Sequence, residues 1–467
     1  MLELIIAANS WLNSIVWGPP FMILLVGTGI YLTVRLGFFQ FRHLGHAWKH
    51  SFGQVFRRRA STEEGAITPF QAVTSAMAAT IGVGNIAGVA TAIVLGGPGA
   101  VFWMWMVALV GMATKMAEAT LGLKYRHVDA DGRVSGGVFY YIEKGLGSQW
   151  KWLAVLYAFF AGLAAFGIGN MVQSNTLAQS AATGFGIPTW VTGVVLVFLV
   201  GAVTLGGISR IAVTAEKIVP VMAVAYLAGS LGILAIHVTE IWGALTMIVE
   251  HAFQPASAVG GFAGASVAMA VRYGIARGIF SNEAGLGSAS IVHAQARNQP
   301  FRQGFWGVWE VFIDTLVVCT MTALVILVTG VLGETDNGEV LTGAVLTSKA
   351  FTEGLPGLGG NVVLIAIIFF AYTTMLTWNF YGEKSWEYLF GRRVVMPYRI
   401  VFLLFVFLGS VGALELIWDI ADTFNGLMAA PNLVALVLLG GVMAKEKLAY
   451  FNQLRDKAAR DLDREDE

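Results

Sequence analysis

Two glycine-punctuated segments hold the residues best suited to binding a small ionic solute. The first is Ala78-Ala79-Thr80-Ile81-Gly82-Val83-Gly84-Asn85-Ile86-Ala87-Gly88, and the second runs from Arg272 to Gly287 and includes Tyr273, Ile275, Gly278 and Glu283. A helix interrupted at such a point exposes N–H groups carrying partial positive charge, here around Gly82, Val83 and Gly84. These suit a carboxylate, while carbonyls at the other broken end suit a hard cation. The competing reading is that the glycines only let helices pack closely. A hard cation prefers oxygen ligands, and the adjacent hydroxyls of Thr373 and Thr374 in F-F-A-Y-T-T-M-L-T-W could supply them. Each hydroxyl could instead bond a carbonyl one turn earlier on its own helix.

Further polar residues fall on shared helix faces. Phe166, Asn170 and Gln173 are spaced by four and three and read as substrate contacts or as interhelical glue. Trp378, four residues after Thr374, could wall a side-chain pocket or serve as a packing residue. Lys115 and Glu118 are spaced to pair on one face as a structural couple. Asp314 is either a coupling carboxylate or a hydrogen-bonded structural one. No H-E-x-x-H or G-x-S-x-G motif occurs, and the seven histidines fall in loops or at span ends, so no catalytic residue is assigned and an enzyme is not expected. Cys319 is the single cysteine, which leaves no disulfide and no thiolate metal cluster within the chain.

The elements that must position these residues are membrane spans. Of 467 residues, 56% are hydrophobic and 12% charged, against roughly a quarter charged in a soluble chain. A span needs about 20 mainly apolar residues. Runs of that kind occur near 17–36, 68–96, 98–122, 152–180, 188–206, 213–236, 264–290, 304–331, 359–382, 399–414 and 424–444, eleven in all. Between them, 24 of the 29 Lys and Arg fall on alternate connections, and the opposite side has Lys349 alone. Basic residues mark cytoplasmic loops, so the N-terminus is expected outside and the C-terminus in the cytoplasm, in the inner (cell) membrane. Met1 to Trp17 has no basic residue and no cleavage site, so a removable signal peptide is not expected.

Setting the first span aside as accessory, the two glycine-rich segments open successive groups of five spans with opposite directions. That is the arrangement of an inverted repeat meeting at a midplane site. The expected division is an accessory helix with a basic segment at 1–66, repeats at 67–236 and 237–445, and a cytoplasmic tail at 446–467. A zero net charge argues against nucleic acid as a partner. A channel is the competing class, although channels build pores by oligomeric symmetry and this pattern places the pseudo-symmetry inside one chain.

The stretches G-G-P-G-A-V-F-W-M-W (Gly96 to Trp105) and G-M-A-T-K-M-A-E (Gly111 to Glu118) resemble the signature of the alanine or glycine:cation symporter family. So do T-I-G-V-G-N-I-A-G, S-G-G-V-F-Y-Y-I-E from Ser135 and G-I-F-S-N-E-A-G-L-G-S from Gly278. The resemblance implies an all-α, leucine-transporter-like core of five plus five helices, acting as a monomer on alanine or glycine, with sodium as coupling ion and no cofactor. It would place the substrate carboxylate at Gly82 to Gly84, beside Thr80 and Ile81, and the sodium at carbonyls of Ala78, Ile81 and Phe370 with hydroxyls of Thr373 and Thr374. Asn85 matches an asparagine of a second sodium site in that fold. Helix register adds Phe166, Asn170, Gln173, Tyr273, Ile275, Gly278, Thr374 and Trp378 as pocket candidates. A proton-coupled amino-acid transporter, or an amino-acid-gated channel, is the alternative.

Overall fold

The computed structural model describes residues 2–55, 65–254, 266–336, 338–412 and 415–465. Arg57 to Arg59 of the basic segment, and the span ends at 264–265 and 413–414, lie outside them. The described chain is helical apart from two short hairpins, His127–Val128 with Val134–Ser135 and Thr335–Asp336 with Glu339–Val340.

An apolar helix α1 (Leu2–Val16) precedes α2 (Pro19–Arg35), whose prolines occupy the first turn where a missing N–H costs nothing. Two short helices follow, α3 (Phe39–Arg42) and α4 (Leu44–His50). Thr68 and Gln71 form a reciprocal capping box that starts α5 (Pro69–Thr80). The chain leaves helical geometry at Ile81, bends by 49°, and resumes in a wide turn, Gly84–Gly88, that continues into α6 (Val89–Gly96). Then come α7 (Gly99–Lys124), α8 (Val138–Gly145), α9 (Lys151–Phe166), α10 (Val172–Phe185), α11 (Thr189–Thr204), α12 (Gly207–Ile236) and α13 (Ile241–His251). The second half comprises α14 (Val267–Asn282), α15 (Ala289–His293), α16 (Pro300–Val311), α17 (Thr320–Val328), α18 (Gly343–Gly354), α19 (Gly359–Phe390), α20 (Val395–Val411), α21 (Glu415–Leu438) and α22 (Gly440–Glu465).

Each of the eleven expected spans coincides with one of these helices or helix pairs, but their lengths differ. Eight helices among the described residues are long and apolar enough to cross a membrane, and the bent pair α5–α6 makes a ninth. The other two, α11 and α14, have 16 residues each, short of the length that a hydrocarbon core requires. The core is built around α7, which packs on α14 and α16, while α19 packs on α5, α9 and α12.

All the basic connections meet at one end. Lys124 pairs with Glu446, Arg392 with Asp131, and Ile67 bridges Ala296, while Arg399 reaches the Leu205 carbonyl. At this end α22 lies across α3 and α4. The Tyr450 hydroxyl is 3.0 Å from His46 Nε2, Phe451 stacks near His43, and Lys447 donates to the Leu36 carbonyl at 2.7 Å. Burial here, with His50, His43 and Lys49 adding like charge, pushes His46 down from 6.5 to about 4. The docked form therefore refuses a proton that the undocked form accepts, so this histidine's contribution to docking is present above pH 6.5 and is lost as pH falls toward 4. Limited proteolysis of α22 is expected to quicken at pH 5 relative to pH 7.5 in the wild type and not in His46→Phe; equal wild-type rates at both pH values would sink this.

Candidate functional site

The first break is held open by side chains that use its backbone groups. The N–H of Gly82 donates to Asn85 Oδ1 at 2.9 Å, and that of Val83 points at Gln173 Oε1 at 3.5 Å. Neither partner is charged, and the second contact is long, so an incoming carboxylate could displace it. Gly84 presses against Phe280, where an added Cβ would sit 3.2 Å from the ring. Only glycine lets the break approach α14 this closely.

Next to the break, α19 contributes oxygens. Thr374 Oγ lies 3.0 Å from the Ala78 carbonyl and 2.9 Å from the Phe370 carbonyl, all fully buried. A carbonyl of α5 thus converges with a carbonyl and a hydroxyl of α19, a donor set suited to a hard monovalent cation. A turn below, Thr377 donates to the Ser75 carbonyl at 3.0 Å and fixes the register of α5 against α19. Thr373 differs from Thr374: its hydroxyl bonds back to Phe369 O at 2.9 Å and Phe370 O at 3.2 Å. Thr80 likewise bonds back along α5, to Ala76 and Met77 at 3.4 and 3.5 Å. Ile81 closes α5 through its N–H to Met77 O at 2.7 Å.

Asn85 is a splint across the break. Its oxygen accepts from Gly82 at 2.9 Å while its Nδ2 donates to Asp314 Oδ1 at 2.7 Å. Asp314 Oδ2 accepts from Ser281 at 2.9 Å and from Thr315 at 2.7 Å. One buried carboxylate therefore ties the first break to the end of α14.

The second break lies near the end of its glycine-punctuated segment. Through Gly274 and Gly278, α14 is continuous, and both glycines pack against Ala100, Met104 and Val107 of α7. The chain leaves helical geometry at Glu283, which adopts a left-handed conformation with φ 56°, and passes Gly285 at φ 101°. Gly278 faces α7, Ile275 faces a groove lined by Met22 and Val26, and Tyr273 sits against Gly96. Around Glu283 the contacts are strong: Oε1 accepts from Trp378 Nε1 at 2.9 Å and Oε2 from Ser288 at 2.5 Å. Trp378 is fully buried and packs on Gly169. Gln173 faces the first break, whereas Asn170 donates to the Phe402 carbonyl at 2.7 Å and Phe166 packs among Tyr398, Phe402 and Phe405. Those last two residues join α9 and α10 to α20.

Two expected arrangements are corrected. Lys115 pairs with Glu310 at 3.1 Å, because α16 packs along α7 and offers it a closer carboxylate than its own helix does. Glu118 instead accepts from the N–H groups of Gly285 at 2.9 Å and Gly287 at 3.0 Å, and from Asn432 at 2.7 Å. His293 is buried rather than in a loop, between Glu310 and Gln303.

A cavity of about 690 Å³ leads toward the first break from the end opposite the basic connections. Its rim includes the exposed Val345 and Thr352, and its depth reaches Phe280 and Gly88. Phe280 stacks near Trp418, with the Arg277 guanidinium over its ring at 5.5 Å and Arg277 facing Asp422 at 3.8 Å. Phe280 thus both lines the cavity and lies against Gly84. On the other side, Trp378 is fully buried and held by Glu283. Such an arrangement can admit an ionic solute from one face, hold its carboxylate at backbone N–H groups, and place a cation beside it.

A sequence profile described as the sodium:alanine symporter family matches residues 2–464. The sodium/alanine symporter AgcS of Methanococcus maripaludis is 49% identical over 454 residues, covering 96% of this chain and 97% of that protein. An uncharacterized transporter of Haemophilus influenzae is 46% identical over 449 residues, covering 96% of each. Among solved structures, MhsT in complex with L-phenylalanine superposes with a TM-score of 0.54 at 13% identity, covering 83% of this chain and 99% of that one; this likeness concerns the fold.

Proposed function

Because the chain belongs to the sodium:alanine symporter family, and so is a multi-pass membrane transporter and not an enzyme, we propose that it couples inward sodium movement to uptake of alanine or glycine. The observation that carries this reading is the juxtaposition of Thr374 Oγ and the Ala78 and Phe370 carbonyls with the N–H groups of Gly82 and Val83. A zwitterion and a cation would occupy adjacent halves of one break. We read residues 67–236 and 237–445 as the two repeats, the end bearing the basic connections as cytoplasmic, and a single chain as the working unit.

In this reading sodium replaces the hydrogen bonds by which Thr374 now closes α5 onto α19, and so fixes the break in the shape that receives the carboxylate. Substrate enters past Phe280 and leaves past Trp378. Each move exchanges one aromatic barrier for the other, so the site meets one face at a time. Binding must then be reciprocal, with sodium tightening substrate and substrate tightening sodium by the same factor.

The test is uptake of labelled alanine and glycine into proteoliposomes under a sodium gradient or an equal proton gradient. Sodium-driven accumulation is expected, together with an alanine affinity that rises with sodium. Accumulation driven by protons alone would transfer the coupling role to Asp314, the buried carboxylate that spans both breaks.

A further inference from the structure

Behind Trp378, three fully buried polar atoms have no hydrogen-bond partner among the described residues: Glu118 Oε2, Tyr157 OH and Tyr381 OH. They belong to one cluster. Tyr157 and Tyr381 are each in electrostatic reach of both Glu118 and Glu283, and Tyr381 also of Glu310. The Tyr381 ring lies 5.5 Å from that of Trp378, the indole that Glu283 holds. Glu118 keeps one oxygen on Gly285 and Gly287, which leaves the other directed away from those N–H groups.

The same cluster holds three carboxyl groups, Glu118, Glu283 and Glu310, beside Lys115 and His293. Ionising a buried carboxyl group in a membrane interior is costly unless a cation accompanies it, and the orphan oxygens are ligands of the kind a small cation would need.

We propose that Glu118, Glu283, Tyr157 and Tyr381 form a second site for a small monovalent cation, sodium in this chain, separate from the oxygens at Thr374. Tyr381 lies seven residues beyond Thr374 on α19, about 10 Å along the helix toward the end where the basic connections meet. The site is thus placed on the release side of Trp378, where sodium would dwell after leaving the first break. Because no group of the first break contributes to it, its affinity is independent of substrate. The proposal rests on sodium being the coupling ion.

A Tyr157→Phe, Tyr381→Phe double variant tests it. Removing a buried hydroxyl that has no partner leaves no donor or acceptor stranded, so folding without sodium should match the wild type in a thermal melt. Equilibrium binding of radiolabelled sodium to purified protein is expected to show two ions per chain in the wild type, one tightened by alanine and one indifferent to it. The double variant should lose the indifferent ion, and Thr374→Val the other. Unchanged sodium stoichiometry in the double variant overturns the proposal, whether water or a proton satisfies the cluster. Sodium-driven alanine uptake by the same wild-type preparation separates that failure from failure of the functional reading, which absence of such uptake would bring down.

Discussion

Thr374→Val is expected to raise the sodium concentration for half-maximal alanine uptake by at least about tenfold, while Thr373→Val changes it by less than about threefold. Tenfold corresponds to about 1.4 kcal/mol, the low end of what a contact to a charged group contributes. The asymmetry follows from where the two hydroxyls point. Thr374 Oγ reaches across to Ala78 on another helix, whereas Thr373 Oγ is spent on carbonyls of its own helix. Valine keeps the branched shape, so packing on α5 should survive. Sodium titrations of labelled uptake in both variants decide it, and the opposite order of effects would remove Thr374 from the cation site.

Lys115→Met is expected to lower folding stability by about 3–5 kcal/mol, the range for breaking a buried ion pair and leaving its carboxylate uncompensated. Glu310 would then face only His293, deep between α7 and α16. Adding Glu310→Gln should restore much of the loss, because it removes the stranded charge. Thermal melts in detergent of the single and double variants measure this. A Lys115→Met protein that melts with the wild type would show that the pair contributes little.

The sequence made the spans and the first break legible for physical reasons. Long apolar runs and alternating basic connections are consequences of the bilayer, and Thr80 to Asn85 is a polar, glycine-rich interruption that no continuous apolar span would carry. Within the second segment the glycines alone do not say where the chain breaks, because two kinds of glycine look alike in composition. Gly274 and Gly278 serve contact with α7, while the chain breaks at Glu283, a residue type seldom left-handed. Partners distant in sequence were equally hidden. Spacing on one helix joined Lys115 to Glu118, but tertiary packing gave Lys115 to Glu310 and Glu118 to Gly285 and Gly287. Likewise Asn170 and Gln173 share a face in sequence, and only the fold separates an interhelical tie from a residue facing the break.

Glu118 has a consequence for which amino acids can pass. Of the two sets of N–H groups that the breaks expose, one is already answered by the Glu118 carboxyl group, so the molecule offers a visiting carboxylate a single set, met there by neutral amides. A dicarboxylic amino acid would bring its side-chain carboxylate toward the buried carboxyl groups of Glu283 and Asp314. Under the proposed function, aspartate and glutamate are therefore expected to compete poorly with labelled alanine, and neutral amino acids to compete better.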